Sequence, residues 1–492
     1  MIQRALCWFR RDLRVRDNPA LMASRLESRE VVPVFIFDRP LLASNCFGPA
    51  CVSFMLESLH ELRETLAQQG LSLHWCIGDP CEEVPRLARD LYVEAVYWNR
   101  DYEPSAVRRD QTVDKALQKS GIVVKTFSDH LIFEPHELRN LSGQPFQRFG
   151  AFRRAWWKRW QASAALSRSG LTQPRSERSR VDLSELSASP PLPVSTELGY
   201  ESVELVIRGG EQVGRARLQR FSSGALQTYG QGRNRPDQDA TSVLSPHFRF
   251  GTVNTRTAVR MALNRLARGG YAARADVHAW IDELIWREFF YHVLAGYPRV
   301  LDGPFRPSAA VAASRPASAT STNLFHAWCD GRTGYPLVDA GMRQLNSTGW
   351  MHNRVRMVVA SFLVKDLRLD WRWGERYFMS RLLDADMAVN NGNWQWCAST
   401  GTDAMPGYRI FNPTVQSKKF DPDGAYIRRY VPELADVPTK YIHQPSAMSV
   451  DWQDRARCRV GSDYPHPIVE HERARQEYLD LVEARGKAGH AD

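Results

Sequence analysis

Residues 346–400 read NSTGWMHNRVRMVVASFLVKDLRLDWRWGERYFMSRLLDADMAVNNGNWQWCAST. Trp, Asn, Arg and Asp recur through apolar sequence at helical spacing, an odd composition for a plain core. Asn353 and Met357 are four apart and so share a helical face, as do Asn390 and Trp394. Trp396 lies two residues beyond Trp394, about 200° around a helix axis, so the two indoles look in different directions. Amides and indoles placed this way suit a flat aromatic ligand on one side and something else on the other. Helical periodicity with few strand signals holds from about Val206 onward, and no internal repeat is evident.

The N-terminal residues 1 to about 130 follow a different pattern. Short β-rich runs at Ala5–Phe9, Val31–Phe37, Leu71–Ile77, Ala95–Trp98 and Val123–Phe127 alternate with amphipathic segments. One of these, SFMLESLHELRETLAQQG, sets Phe54, Leu59, Leu62 and Leu66 near helical period and ends at Gly70. Such alternation predicts a doubly wound parallel sheet, an α/β Rossmann-like domain. No G-x-G-x-x-G follows the first strand, so the usual dinucleotide phosphate loop is missing. Residues 131–205 turn Ser-, Pro- and Arg-rich (SGLTQPRSERSR, SASPPLPVSTELG), the composition of an interdomain linker. Within them AFRRAWWKRW reads either as a helix packed by its Trp residues or as a basic aromatic patch facing nucleic acid. The expected organisation is an α/β domain at 1–130, a linker at 131–205, an all-α domain at 206–480 and a tail at 481–492. The stretch Arg306–Thr322 reads as an irregular surface loop.

At 492 residues the chain exceeds the usual single domain. Its 43% hydrophobic content, with 15 Trp, is enough for a sizeable core. The formal charge of +10 fits either a solvated basic surface or a polyanionic partner. Arg10, Arg11, Asp12 and Arg14 interrupt any secretory apolar core, and no apolar run nears the roughly 18 residues a membrane span needs. A cytoplasmic protein is expected, its eight scattered cysteines reduced and no metal site among them.

LCWFRRDLRVRDNPAL at 6–21, ATSVLS at 240–245, DELIWREFF at 282–290, TGYPLVDAGMRQLNSTGWMHNR at 333–354 and DADMAVNNGNWQW at 384–396 together resemble the DNA photolyase/cryptochrome family. The pattern is most similar to its microbial class I cyclobutane pyrimidine dimer photolyases. The resemblance implies FAD in the helical domain, a substrate of UV-damaged DNA, no membrane and a monomer. Tyr229 and Thr241, Ser242, Val243, Leu244 and Ser245 match flavin-contacting positions. Their hydroxyls also suit phosphate oxygens or a helix cap. Trp280, Arg287, Arg356, Asp384, Ala385 and Asp386 match further flavin contacts, with Arg356 and Asp384 as an ion pair. Asn390 matches the residue facing flavin N5. Plant and animal cryptochromes commonly carry Asp or Cys there, so Asn favours repair over light sensing.

Glu283, Trp286 and Arg287 are spaced i, i+3, i+4 on one helical face. Charges beside a Trp in an apolar frame read either as a structural Glu–Arg bridge or as a binding face. The resemblance implies that Glu283 bonds the dimer's base edges, with Trp286 and Trp396 as an apolar wall and Asn353 and Met357 lining the same pocket. Arg233, Trp350, Met351, Arg354, Gln416, Lys418 and Lys419 match DNA-contacting positions. Trp394 and Trp371 match the inner members of the family's electron-transfer tryptophans. Ser318 stands at the simplest match to the third, and Trp373 is an alternative exit. Asp101 and Glu103 in VYWNRDYEP resemble members with an 8-hydroxy-5-deazaflavin antenna rather than methenyltetrahydrofolate. Arg249 stands where those members often have Lys, which leaves an empty pocket or a flavin open.

Overall fold

A computed structural model describes residues 1–44, 46–166, 190–266, 271–306 and 314–488. Five parallel strands, β1 (Ile2–Phe9), β2 (Ser28–Asp38), β3 (His74–Gly78), β4 (Ala95–Asn99) and β5 (Val123–Phe127), form one sheet in the order β3-β2-β1-β4-β5. The order turns back at β1, as the doubly wound reading requires. The central strands are buried on both faces. Leu6, Trp8, Val34, Ile36, Val96 and Trp98 pack with Val84, Val113 and Leu117 of the flanking helices. Those helices start alike. Pro19, Pro49, Pro80 and Pro104 open the helices Pro19–Glu27, Pro49–Gln68, Pro80–Asp90 and Pro104–Lys119, where a missing N–H costs nothing. Asn18 and Asp79 cap two of them through their side chains.

The loop after β1 is tied by charge. Arg14 pairs with Asp129 in full burial and donates to Gly251 O at 2.9 Å. Gly251 has φ +63, and a Cβ there would strike the backbone of Arg11 and Asp12. The space where a phosphate loop would lie therefore holds arginine–carboxylate pairs.

The chain divides into two compact units, Met1–Gln227 with Ser242–Pro298, and Thr228–Thr241 with Arg299–Asp492. In the first unit, AFRRAWWKRW lies in a helix, Phe149–Leu166, with Trp156 and Trp160 buried. Packing by indoles is thus the reading that holds for this segment. Residues 130–133 run against the long helix Tyr271–Gly296. Glu288 of that helix accepts from Ile132 N (2.8 Å), Phe133 N (3.0 Å) and Trp156 Nε1 (2.9 Å). The second unit is helical.

Two expectations shift. The loop expected over Arg306–Thr322 gives way to a helix at Ala319–Cys329, because the Ser318 hydroxyl accepts from Ser321 N at 3.2 Å and caps it. The tail expected from 481 is helical to Ala488. SGLTQPRSERSR lies outside the described residues. Among the described residues no helix is long and apolar enough to cross a membrane, and all eight cysteines are free thiols.

His292 faces Phe133 O at 3.0 Å and the Phe152 ring at 4.8 Å, and burial pushes its pKa down to about 4. Stability from this neutral imidazole is present above the unfolded value near 6.5 and is lost as pH falls toward 4. His292→Gln keeps a donor but does not titrate. The difference in unfolding free energy between pH 7 and pH 5, from denaturant titrations, should shrink by roughly 1–2 kcal/mol in this variant. An unchanged pH sensitivity would remove His292 from the account.

Candidate functional site

In the first unit, Trp280, Glu283, Trp286 and Arg287 lie on the Tyr271–Gly296 helix. Trp280 is buried against Phe221, ring centroids 5.3 Å apart. Arg287 gives its hydrogen bonds to His130 O (3.1 Å), the His130 ring and Phe248 O (3.3 Å), not to Glu283. Among the described residues Arg287 makes no ion pair with Glu283. Burial, then the guanidiniums of Arg287, Arg11 and Arg249, holds His130 far below the usual histidine range, so it stays neutral. Trp286 is half-buried and stacked face to face on Phe149 at 3.6 Å and 7°. Val243 has φ +47, which turns the backbone sharply between Ser242 and Leu244. The Ser242 carbonyl accepts from Arg217 Nε at 2.7 Å.

In the second unit, Tyr229 is buried, with the Arg233 guanidinium 5.4 Å from its ring centre. The WMHNR segment turns into the helix Asn353–Ser361, capped by His352 Nδ1, which accepts from Arg354 N at 3.1 Å. Burial lowers His352 to about 4, so its acceptor nitrogen stays free of a proton. Asn353 is exposed and Met357 half-buried, one turn apart. Trp350 is half-buried beside His352. Met351 is wholly buried, its carbonyl accepting from Arg356 Nε at 2.8 Å, so it offers no surface to a partner as it stands.

Arg356 Nη2 reaches both oxygens of Asp384, at 3.2 and 3.0 Å, as the sequence anticipated. Asp386 caps the helix Met387–Cys397 by accepting from Val389 N at 3.1 Å, and Ala385 is buried between the two carboxylates. Asn390 Nδ2 donates to Glu375 O at 3.0 Å, which fixes the amide's orientation. Its carbonyl Oδ1 makes no hydrogen bond among the described residues. Glu375 is half-buried, its pKa pushed up to about 7 by desolvation, and accepts from Asn391 Nδ2 at 2.8 Å. Glu375 was not singled out in the sequence. Its signal, a carboxylate in WRWGERYF four residues past Trp371, is too common to be specific.

Trp394 is buried edge-on to Phe378 (5.0 Å) and Trp328 (6.2 Å). Gly374 brings the helix Trp371–Arg381 against the far rim of that indole, and a Cβ there would collide with it. Trp371 is buried but has no ring contact among the described residues. Half-buried Trp373 meets Phe325 at 5.3 Å, which stacks on Trp328 at 5.9 Å. Ring contacts therefore run from Trp394 through Trp328 and Phe325 to Trp373. Trp328 was not singled out in the sequence. Trp396 is half-buried and points away from Trp394.

Two cations of this unit flank one ring. Arg354 lies 4.4 Å from the Phe420 ring centre and Lys419 5.3 Å. Arg354 also donates to Asn234 Oδ1 at 2.7 Å. Lys418 and Lys419 are exposed in the last turn of the helix Pro413–Phe420, with Gln416 half-buried one turn earlier. Cations there also favour the helix end.

In the first unit, Arg11 pairs with Asp101 (3.4 Å) and Glu103 (2.6 Å). Burial alone would raise Asp101, but Arg11, Arg10, Arg109 and Arg249 outweigh it and hold the carboxyl at about 2. Arg249 is buried, 5.3 Å from the Phe47 ring centre and 5.5 Å from that of Phe250.

A family model described as DNA photolyase matches residues 5–170, and one described as the FAD binding domain of DNA photolyase matches 280–484. The chain belongs to the DNA photolyase family. A deoxyribodipyrimidine photo-lyase of Synechococcus sp. is 40% identical over 97% of this chain and 96% of its own length. The structure of a bacterial class III photolyase from Agrobacterium tumefaciens superposes with a TM-score of 0.84 at 34% identity, covering 99% of this chain and 98% of the other. That of a Synechocystis cryptochrome gives 0.82 at 28% identity over 98% and 99%.

The residues present fit a flavin. Asn390 leaves its accessible carbonyl Oδ1 without a hydrogen-bond partner among the described residues, the Arg356–Asp384 pair is already satisfied, and an apolar indole lies one turn from Asn390.

Proposed function

We propose that this protein is a deoxyribodipyrimidine photo-lyase, an FAD enzyme that uses light to split cyclobutane pyrimidine dimers in DNA, acting as a cytoplasmic monomer. The observation that carries the reading is Asn390. One N–H of its NH2 is held by the Glu375 carbonyl, which orients the amide and leaves the carbonyl Oδ1 to accept from a ligand, as a protonated flavin N5 requires. End-to-end identity of 40% to a deoxyribodipyrimidine photo-lyase supports the substrate class. When bound and reduced, FAD supplies a light-excited electron that opens the dimer's cyclobutane ring, and the electron then returns.

The chain's own residues bind and orient. The Glu283 carboxylate accepts hydrogen bonds from the base edges. Trp286 and Trp396 supply apolar contacts to the dimer, and Asn353 and Met357 add theirs. Tyr229, Trp280, Arg287 and Thr241–Ser245 hold the cofactor. Arg233, Trp350, Arg354, Gln416, Lys418 and Lys419 hold the DNA backbone, so binding is salt-sensitive and indifferent to sequence. The dimer leaves the helix to reach the site, as photolyase substrates do, and its weakened stacking adds selectivity.

The cryptochrome reading shares this fold, and the two part on repair. FAD-loaded protein should remove dimers from irradiated oligothymidine in blue light and not in the dark; a light sensor would leave them. In dark binding to damaged and intact DNA, Glu283→Ala should lose about tenfold in discrimination between the two, since one hydrogen-bond partner taken from a desolvated base edge is worth about 1–3 kcal/mol. General DNA binding should hold. Equal loss for both DNAs would put Glu283 outside the dimer pocket.

Photoreduction of the flavin draws on Trp394, Trp371 and an exit at Trp373; the ring contacts through Trp328 and Phe325 link Trp394 to that exit and support it without passing through Trp371. Trp373→Phe should slow photoreduction in transient absorption and spare repair by already reduced enzyme. An unchanged rate and yield would rule this exit out.

An antenna of 8-hydroxy-5-deazaflavin type, in preference to a folate, is assigned to Asp101, Glu103 and Arg249. A buried guanidinium held against Phe47 and Phe250 favours a flat, anionic ring. Mass spectrometry of pigment released from protein made in a deazaflavin-producing host should find it, and bound folate would overturn the assignment.

A further inference from the structure

The Phe149–Trp286 stack belongs to none of the roles above. The two rings lie 3.6 Å apart, centre to centre, and within 7° of parallel. That separation is one ring thickness, so they overlap almost fully. Isolated aromatic pairs prefer offset or edge-on arrangements to such a sandwich. Something other than ring–ring preference must hold it.

The holder is the docking of the Phe149–Leu166 helix on the Tyr271–Gly296 helix. Phe149, Phe152, Arg153 and Trp156 recur at helical spacing on one side of the shorter helix. Phe152 is fully buried, 5.4 Å from the Phe289 ring and 4.8 Å from His292. Arg153 Nε pairs with Asp282 at 2.6 Å, and Trp156 Nε1 donates to Glu288 at 2.9 Å. With three successive contacts fixed, Phe149 has little choice of position. Trp286 is confined further by its own helix, with Phe289 edge-on at 5.7 Å and Phe290 tilted at 5.5 Å.

An indole has two faces. Phe149 covers one, and only the other can meet a base. The terminal side-chain torsion of Trp is broad, so an unbacked indole would sweep a range of planes and lose freedom on binding. We propose that Phe149 is a positioning residue for dimer recognition: it backs Trp286 and presets the plane of the open face. The proposal rests on the reading that Trp286 is a wall of the dimer pocket.

The test is dark binding by FAD-loaded protein, read by anisotropy of labelled oligonucleotides with and without one thymine dimer. Phe149→Leu should lose about five- to twentyfold in affinity for the damaged strand and stay within about twofold for the intact one. Phe149→Tyr, which keeps the ring, should restore the wild-type ratio. Phe149→Met, which keeps apolar bulk without a ring, guards against misfolding and should behave as Leu does at unchanged flavin content. In a Trp286→Ala background, Phe149→Leu should add no further loss. Wild-type discrimination in Phe149→Leu, with discrimination lost in Trp286→Ala, overturns the proposal alone. Tighter dimer binding by Phe149→Leu also overturns it, because Phe149 would then be covering the face the base needs. Unchanged discrimination in Trp286→Ala removes the underlying reading as well.

Discussion

One buried carboxylate fastens the first unit together. Glu288 accepts from two consecutive backbone N–H groups, at Ile132 and Phe133, and from the Trp156 indole. Desolvation pushes its pKa up to about 7 against the pull of those three donors. The chain leaving β5, the helix Phe149–Leu166 and the helix Tyr271–Gly296 all meet at this group. Removing it would leave three buried donors unsatisfied at once, a larger loss than any single apolar contact. Glu283 and Trp286, the proposed substrate contacts, stand on the same longer helix.

The first unit also separates its arginines from the protein's basic surface. Arg10 pairs with Asp110, Arg11 with Asp101 and Glu103, and Arg14 with Asp129. These cations are consumed by carboxylates and contribute little to attracting a polyanion. The net charge of +10 is therefore expressed by others, such as the exposed Lys418 and Lys419. Composition alone could not make that division, because it counts paired and free charges alike.

The parallel sheet was legible because strands buried on both faces read as short β-branched runs, and all five expected runs overlap observed strands. The Arg356–Asp384 pair was legible through the family pattern. What escaped were features set by tertiary approach. Nothing local in FQRFGAF announces that Phe149 will lie flat on a ring 137 positions away. The edge of Trp328 against Trp394 likewise depends on how helices cross, not on spacing within one. The helix at Ala319–Cys329 was hidden for a simpler reason: its start, ATST, has the composition of a loop, and only the Ser318 cap tips it.

Gly374 has a consequence for what Trp394 can do. With backbone rather than side chain along its far rim, and Phe378 and Trp328 at its edges, the indole sits in walls that cannot rotate away. A ring so confined keeps its coordinates when its charge changes, and the surrounding dipoles have little to rearrange. If Trp394 carries an electron as proposed, this confinement would lower the reorganisation energy at its position, and the absence of a single methyl group at Gly374 would be what sets it.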